Sequence, residues 1–217
     1  MNVIFGAGGF AREVGWLMDD LARQGEMASQ VDAFVASDDA PSIGQNIHGT
    51  PIVAESDFFA RHYRTRLNAY LAVGSPQLKE RLHEKCLTAL AAVNFPALVH
   101  PSVQHDHRSG AIDIGAGAII CAGTTLTTDV KIGDFAHVNL NCTIGHDAMI
   151  GAFCTLSPGV HVSGGVALGR GCFVGSGAVF LENVHVHDAT IIGAGATVTR
   201  TLDQSGTYVG IPARLRS

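Results

Sequence analysis

A large apolar residue returns at every sixth position through most of the second half of this chain. These fifteen positions are Ile114, Ile120, Leu126, Ile132, Val138, Ile144, Ile150, Leu156, Val162, Leu168, Val174, Phe180, Val186, Ile192 and Val198. A period of six does not fit an amphipathic α-helix, whose apolar face recurs about every 3.6 residues. It fits a short strand followed by a turn, repeated without a slip.

Small side chains precede these apolar residues by two positions, for example Ala136, Cys142 and Ala148. Because alternate residues of a strand share one face, both sets point to the same side. Three strands and three glycine-rich turns then make an 18-residue triangular coil, and coils stack about 4.8 Å apart. The sequence predicts a parallel β-helix of five coils between about 112 and 200. Three of the five cysteines fall in the small inward positions, where free Cys acts as a compact apolar residue.

The composition changes along the 217 residues and indicates two domains. Residues 1–96 contain 19 charged residues and 8 Gly, whereas residues 97–217 contain 14 and 18. Phe95-Pro96 is the predicted boundary, because a proline between differently patterned segments is a plausible hinge. We therefore expect a small N-terminal α/β (Rossmann-like) domain in residues 1–96 and the β-helix in residues 97–217.

The charge and cysteine patterns exclude several classes of protein. A net charge of -5 argues against a nucleic-acid partner, which requires a basic surface. No apolar run approaches a membrane span of roughly 18 residues, so no membrane insertion is expected. The five Cys include no CxxC pair, and the N-terminus lacks a signal-peptide pattern. The expected location is the cytoplasm.

The first residues have the pattern of a phosphate-binding turn. Gly6, Gly8 and Ala11 match G-x-G-x-x-A, with an apolar strand before them and an amphipathic helix after them. Further strands are predicted at 31–35 and 69–73, the latter followed by a second turn at Gly74-Ser75. The second strand ends in Ala36-Ser37, where a dinucleotide site expects a carboxylate, and Asp38 comes slightly late. Nucleotide-sugar binding, a nicotinamide cofactor and a purely structural cap all remain open.

His146 and Asp147 lie in a turn of the repeat, outside the inward positions. The next coil places Gly164 and Gly165 at the stacked positions, which leaves open space and exposed amides beside the imidazole. A general base must titrate near neutrality, and a backbone N–H can stabilise developing negative charge. A metal site is an alternative, but His137, His161 and His185 are spaced by 24 residues and lie on different sides. An exposed turn histidine without function is the other alternative.

Four segments together resemble the bacterial sugar O/N-acetyltransferases, namely VIFGAGGFAREV at 3–14, HPSV at 100–103, LNCTIGHDAMIG at 140–151 and YVGIPAR at 208–214. That family includes sialic-acid O-acetyltransferases and N-acetyltransferases of UDP- or GDP-linked 4-amino-4,6-dideoxy sugars. The resemblance covers nearly the whole chain and implies a left-handed β-helix. It also implies that His146 is the general base, that Asp147 orients it, and that Asn139 lies near the active site.

The resemblance further implies where two substrates bind in a homotrimer with active sites between neighbouring β-helices. Acetyl-CoA, as co-substrate, is expected along the groove between β-helices, at Thr155, Gly164, Gly210, Ile211, Pro212 and Ala213. The nucleotide-sugar is expected against Gly6, Gly8, Gly9, Phe10, Gly74 and Ser75. No metal is expected.

Two positions depart from the bacillosamine-type members of that family. An Asp-Asp pair is replaced by Ala36-Ser37, which argues against uridine recognition, and a second histidine is replaced by Thr155. The resemblance nevertheless implies acetyl transfer to the 4-amino group of a nucleotide-linked sugar, by direct attack on the thioester. The alternatives are O-acetylation of sialic acid or a related sugar, a metalloenzyme similar to the γ-class carbonic anhydrases, and a trimeric scaffold without catalysis.

Overall fold

The computed structural model describes residues 1–25, 30–108 and 110–216. They form two compact units, Met1–Leu98 and Val99–Ser217. Within the described residues, no helix combines the length and apolar character that crossing a membrane requires.

The first unit is built on a sheet that has six strands in the described residues, ordered β3-β4-β2-β1-β5-β6. All neighbouring strands are parallel except β3 and β4. The strand order reverses direction at β1, the kind of place where open α/β sheets bind ligands. The elements are β1 (Asn2–Phe5), α1 (Gly9–Arg23), β2 (Ala33–Ala36), β3 (Asn46–Ile47), β4 (Thr50–Ala54), α2 (Glu55–His62), β5 (Leu67–Leu71), α3 (Pro76–Ala89) and β6 (Val93–Asn94).

The predicted strands of the first unit correspond to β1, β2 and β5, with ends displaced by one or two residues. Helix α1 buries the predicted apolar face, which includes Val14, Leu17 and Met18. The hairpin of β3 and β4 was not predicted. Its two-residue turn has His48 and Gly49 at positive φ, and histidine is not one of the residues that mark such a turn.

The second unit is a triangular coil of very short parallel strands. Their bounds are β7 (Leu98–Val99), β8 (Gln104–His105), β9 (Ile112–Ile114), β10 (Ile119–Ile120), β11 (Thr125–Leu126), β12 (Val130–Ile132), β13 (His137–Val138), β14 (Thr143–Ile144), β15 (Met149–Ile150), β16 (Thr155–Leu156), β17 (His161–Val162), β18 (Ala167–Leu168), β19 (Phe173–Val174), β20 (Val179–Phe180), β21 (His185–Val186), β22 (Ile191–Ile192), β23 (Thr197–Val198), β24 (Thr207–Val209) and β25 (Arg214–Leu215).

These strands form three faces that the chain visits in turn. Face A contains β7, β10, β13, β16, β19, β22, β24 and the antiparallel β25. Face B contains β8, β11, β14, β17, β20 and β23, and face C contains β9, β12, β15, β18 and β21. From β9 to β23 the partners are 18 residues apart, as in Thr143 with His161 and Lys131 with Met149. The predicted 18-residue coil is confirmed.

The core of this unit consists of the predicted inward positions. The large residues and the small residues two places earlier are buried together in one cluster. Cys142, Cys154 and Cys172 are fully buried within it, as expected for small apolar residues. Burial also extends to some outward-facing side chains of face A, including Ile119, His137 and Thr155.

The β-helix is longer than the predicted range of 112 to 200. It begins at β7 and β8, whose coil the hexad pattern does not reveal, because residues 106–111 lengthen the next turn. At the other end, residues 199–206 replace a regular strand of face C. There Leu202 makes only an isolated bridge to Val186, and the chain then returns to face A at β24.

Candidate active site

The His146-Asp147 turn joins β14 of face B to β15 of face C. Backbone hydrogen bonds hold it to the coils on both sides. The Gly165 N–H donates to the His146 carbonyl at 2.8 Å, and the Asp147 N–H donates to the Thr128 carbonyl at 3.2 Å. Asp147 has a φ of 60°, a left-handed conformation that Asp tolerates better than most residues. The turn is therefore fixed in position by its neighbours.

The two side chains of this turn contact each other directly. Nδ1 of His146 lies 2.8 Å from Oδ2 of Asp147, and both side chains are 67% exposed. A carboxylate beside Nδ1 favours the tautomer with the proton on Nδ1. Nε2 then carries the free lone pair, which is the requirement for accepting a proton from a substrate.

Gly164 lies against the face of this imidazole, as the 18-residue spacing predicts. A Cβ at Gly164 would be 2.5 Å from both Nε2 and Cε1 of His146, so a larger residue would displace the ring. Among the described residues, the Gly164 N–H has no hydrogen-bond acceptor. Acyl transfer needs a basic nitrogen to accept the proton and an N–H donor to stabilise the oxyanion. Nε2 of His146 and the Gly164 N–H are such a pair.

A charged cluster lies one coil before this turn, beside Thr128 and Asp129. The Arg108 guanidinium donates to Thr128 Oγ1 at 3.1 Å and forms an ion pair with Asp106. This guanidinium holds the pKa of the Asp106 carboxyl well below its usual value. Sequence reasoning missed the cluster, because residues 106–111 lie outside the six-residue repeat.

Two other predicted site residues lie at different places on the β-helix. Asn139 is at the corner between faces A and B, where its Oδ1 accepts a hydrogen bond from the Leu140 N–H at 2.7 Å. Thr155 is a buried residue of face A, paired in register with His137 and Phe173. The turn of His146 joins faces B and C, so one chain does not bring these residues to the same corner.

The predicted C-terminal motif forms the turn between β24 and β25. Gly210 has a φ of 89° and its carbonyl accepts from the Thr197 N–H at 3.1 Å. The Ala213 N–H returns to the Thr197 carbonyl at 2.7 Å, while Ile211 is 77% exposed. Pro212 lies between them. The motif therefore places an exposed apolar side chain at the end of face A.

The glycine loop after β1 has the close approach that its sequence predicts. Gly6 has a φ of 129°, and a Cβ there would be 2.6 Å from the Ala72 carbonyl oxygen. Gly8 is the N-cap of α1, and Gly9 and Phe10 begin the helix. A cavity of about 340 Å³ opens beside this loop. Its lining also includes Val35, Ala36, Ser37, Glu55, Val73 and Leu78.

The second predicted loop begins α3. Ser75 is its N-cap and accepts a hydrogen bond from the Leu78 N–H at 3.3 Å, and Gly74 precedes it. The loop connects Val73 and Leu78, both of which line the same cavity. The two glycine turns therefore border one cavity at the carboxyl ends of parallel strands, where nucleotides bind in such sheets.

The two carboxylates near this cavity have different partners. Asp38 Oδ1 accepts from the Ser56 N–H at 2.9 Å, and this bond lowers the pKa of Asp38. Glu55 lines the cavity, is largely buried and pairs with Lys85. Sequence reasoning missed Glu55, because neither β4 nor α2 was predicted. Nowhere in the described residues does a group of three or more His, Cys, Asp or Glu have an arrangement that could hold a metal ion.

The sequence and the fold are similar to those of known proteins. The sequence is 33% identical over 159 residues to GDP-perosamine N-acetyltransferase of Escherichia coli O157:H7. That alignment covers 72% of this chain and 66% of the relative, just under two thirds of its length. PerB from Caulobacter crescentus, solved with CoA and GDP-perosamine, is 30% identical, with a TM-score of 0.83 over 100% of this chain and 97% of that one.

The chain belongs to the nucleotide-sugar acetyltransferase family. Another structural neighbour in this family is the acetyltransferase domain of PglB from Neisseria gonorrhoeae in complex with acetyl coenzyme A. It has 25% identity and a TM-score of 0.84, covering 99% of this chain and 98% of that one. These neighbours are sugar acetyltransferases of the left-handed β-helix type. No protein-family model matches the sequence.

Proposed function

We propose that this nucleotide-sugar acetyltransferase transfers acetyl from acetyl-CoA to the 4-amino group of a nucleotide-linked 4-amino-4,6-dideoxy sugar. GDP-perosamine is the first candidate acceptor, because two relatives are named for it or bind it. The observation that carries the proposal is the His146 imidazole, bonded to Asp147 and placed against Gly164.

The reaction is a direct transfer. The acceptor nitrogen attacks the thioester carbonyl carbon, and His146 Nε2 takes the proton that the nitrogen loses. The C–S bond then breaks, an amide forms, and the CoA thiolate receives a proton from His146. Asp147 holds the imidazole in the required tautomer through Nδ1. The Gly164 N–H is the proposed donor to the oxyanion of the tetrahedral intermediate.

The chemistry needs no covalent acetyl-enzyme. Cys142 is the cysteine nearest in sequence to the base, and it is fully buried in the prism core. Burial raises the pKa of its thiol to about 11, so the thiolate that a nucleophile requires is scarce at neutral pH.

A second β-helix would complete the site. His146 and Asp147 are 67% exposed in the single chain, whereas acyl transfer benefits from a site that excludes water. The proposed assembly is a homotrimer of left-handed β-helices with acetyl-CoA between neighbours. Gly164 and the exposed turn at Ile211 would contact the co-substrate, together with Thr155, and Asn139 would contact the acceptor.

The first unit is the proposed nucleotide-sugar domain. Its Rossmann-like strand order and the cavity beside Gly6 and Gly8 support binding of the diphosphate at the start of α1. Acetyl-CoA and nucleotide sugars are both cytoplasmic metabolites, and we place the protein there.

Thiol release from acetyl-CoA tests this function. GDP-, UDP- and TDP-linked 4-amino sugars, together with free and CMP-linked sialic acid, are supplied separately, and the products are identified by mass. We expect an N-acetylated 4-amino sugar with one thiol released per amide. Acetylation of sialic acid alone would replace the N-transfer proposal with O-transfer. No transfer to any acceptor, or stoichiometric zinc with CO₂ hydration, would overturn both.

A further inference from the structure

The cavity beside the glycine loop contains a carboxylate that the sequence pattern did not reveal. Strands β2 and β4 are parallel, with Ala36 paired to Ala54. Ser37 and Glu55 directly follow these paired strand ends, so Glu55 leaves the sheet beside Ser37 as the first residue of α2. A carboxylate is expected at Ser37 in dinucleotide sites. In this chain it lies about 4.8 Å further along the sheet, one strand spacing away.

Asp38 does not supply this carboxylate. Its Oδ1 accepts the hydrogen bond of the Ser56 N–H, which is one of the unsatisfied amides in the first turn of α2. Asp38 therefore stabilises the start of a helix. Glu55 is the carboxylate that lines the cavity, and its residue is only 8% exposed.

Only one of the two carboxylate oxygens of Glu55 has a hydrogen-bond partner among the described residues. Its Oε1 accepts a hydrogen bond from the Lys85 ammonium, which fixes the side chain. Among the described residues, Oε2 has no hydrogen-bond partner. A largely buried carboxylate with one free oxygen, facing a cavity, is arranged to accept N–H groups from a ligand.

The position of Glu55 along the sheet determines which part of a bound nucleotide this side chain can contact. The strand order β4-β2-β1 places it two strands from the glycine loop, about 10 Å away. With the diphosphate at the loop after β1 and the ribose beyond β2, the end of β4 is the position of the base. Small residues between them, including Ala36 and Ala40, leave room in the cavity.

We infer that Glu55 reads the nucleobase and selects guanine, an inference that rests on the proposed function. Guanine presents N1–H and the 2-amino group side by side, which are two donors for one carboxylate. Uracil and thymine present one N–H between two carbonyl oxygens, and adenine presents an unprotonated N1. A carboxylate therefore matches guanine and repels the carbonyl oxygens of the pyrimidines.

Calorimetric titration with GDP, inosine diphosphate and UDP tests this inference. Inosine lacks only the 2-amino group, so the wild-type protein should bind its diphosphate on the order of tenfold more weakly than GDP. Glu55→Gln replaces one acceptor oxygen with a donor. It should weaken GDP binding roughly ten- to hundredfold and bring the ratio between GDP and inosine diphosphate towards one, while UDP binding changes less than about threefold.

Asp57→Asn is the matched control. Asp57 is also an acid in the first turn of α2, but it lies outside this cavity. Its loss changes the helix charge equally and should leave all three affinities unchanged. Equal binding of GDP and inosine diphosphate by the wild-type protein would overturn the inference, without any variant having to fold. So would an equal loss of GDP and UDP binding in Glu55→Gln, which would indicate a ribose or structural role.

The two proposals fail in different ways. If the protein binds GDP more tightly than inosine diphosphate but acetylates no amino sugar, the acetyltransferase proposal fails and the role of Glu55 stands. If it acetylates a GDP-linked amino sugar but binds both diphosphates equally, the role of Glu55 fails alone.

Discussion

Two corners of the β-helix have similar turns but different partners for their exposed amides. At the corner from face C to face A, the Asp134 carboxylate accepts from the Ala116 N–H at 2.9 Å, and Asp188 accepts from Arg170 at 2.8 Å. At the corner from face B to face C, the corresponding amide of Gly164 has no acceptor among the described residues. In these two coils, a side chain from the following coil closes the first corner.

This difference separates stabilisation from chemistry within one repeating architecture. A carboxylate at the corner satisfies an amide and leaves nothing for a substrate. A glycine at the equivalent position has no side chain to accept a hydrogen bond from an amide. It leaves space for an imidazole, and its own N–H stays free to donate. The repeat supplies the same backbone at both corners, and single residues decide which of the two purposes each corner serves.

Of the changes at these two corners, removing the proposed general base His146 should have the largest effect on activity. We expect His146→Ala to lower kcat for acetyl transfer by roughly 10²- to 10⁴-fold, the usual contribution of a general base. The melting temperature should stay nearly unchanged, since the side chain is 67% exposed. His187→Ala at the closed corner is the control and should keep wild-type activity. Wild-type acetyltransferase activity in His146→Ala would show that His146 is not the general base.

Filling the space at Gly164, at the corner from face B to face C, should have the next largest effect on activity. The methyl group of Gly164→Ala would lie 2.5 Å from the imidazole and displace it, so kcat/KM should fall on the order of 10- to 100-fold. Alanine occupies this slot at other corners, as in Ala116 and Ala152, so the backbone accepts it. Ala152→Ser controls for added bulk. Unchanged kinetics in Gly164→Ala would show that the ring does not act from this position.

Opening the closed corner should have the smallest effect, and on stability alone. Asp188→Ala removes the acceptor of the Arg170 N–H, which should lower the free energy of unfolding by about 1 kcal/mol in urea titrations. The value of kcat/KM should stay within about twofold of the wild type. A large loss of activity would contradict the assignment of this corner to stability.

The sequence was sufficient to predict the β-helix because its register is a strict count. Residues such as Ile144 and Cys142 repeat at fixed positions, so the inward set, the outward position of His146 and its proximity to Gly164 all follow from the spacing. Local spacing determines these features, since each coil contacts mainly the coils beside it.

The residues at the cavity of the first unit and in the lengthened turn depend on tertiary contacts, which the six-residue repeat does not specify. Asp38 bonds to Ser56 in a helix that the sequence pattern did not indicate, and Glu55 reaches the cavity only through the pairing of β4 with β2. Arg108 and Asp106 lie in a lengthened turn outside the hexads. These residues became visible only through tertiary structure, and they include the candidate for base recognition.

The fixed length of the coil also limits how such a chain can change in length. An inserted coil of 18 residues leaves every downstream side chain on its own face, whereas an insertion of six moves all of them to the next face. A single inserted residue would turn the core outward. Viable insertions and deletions must therefore be absorbed at a corner, as in the lengthened turn between β8 and β9, or come as whole turns of the prism.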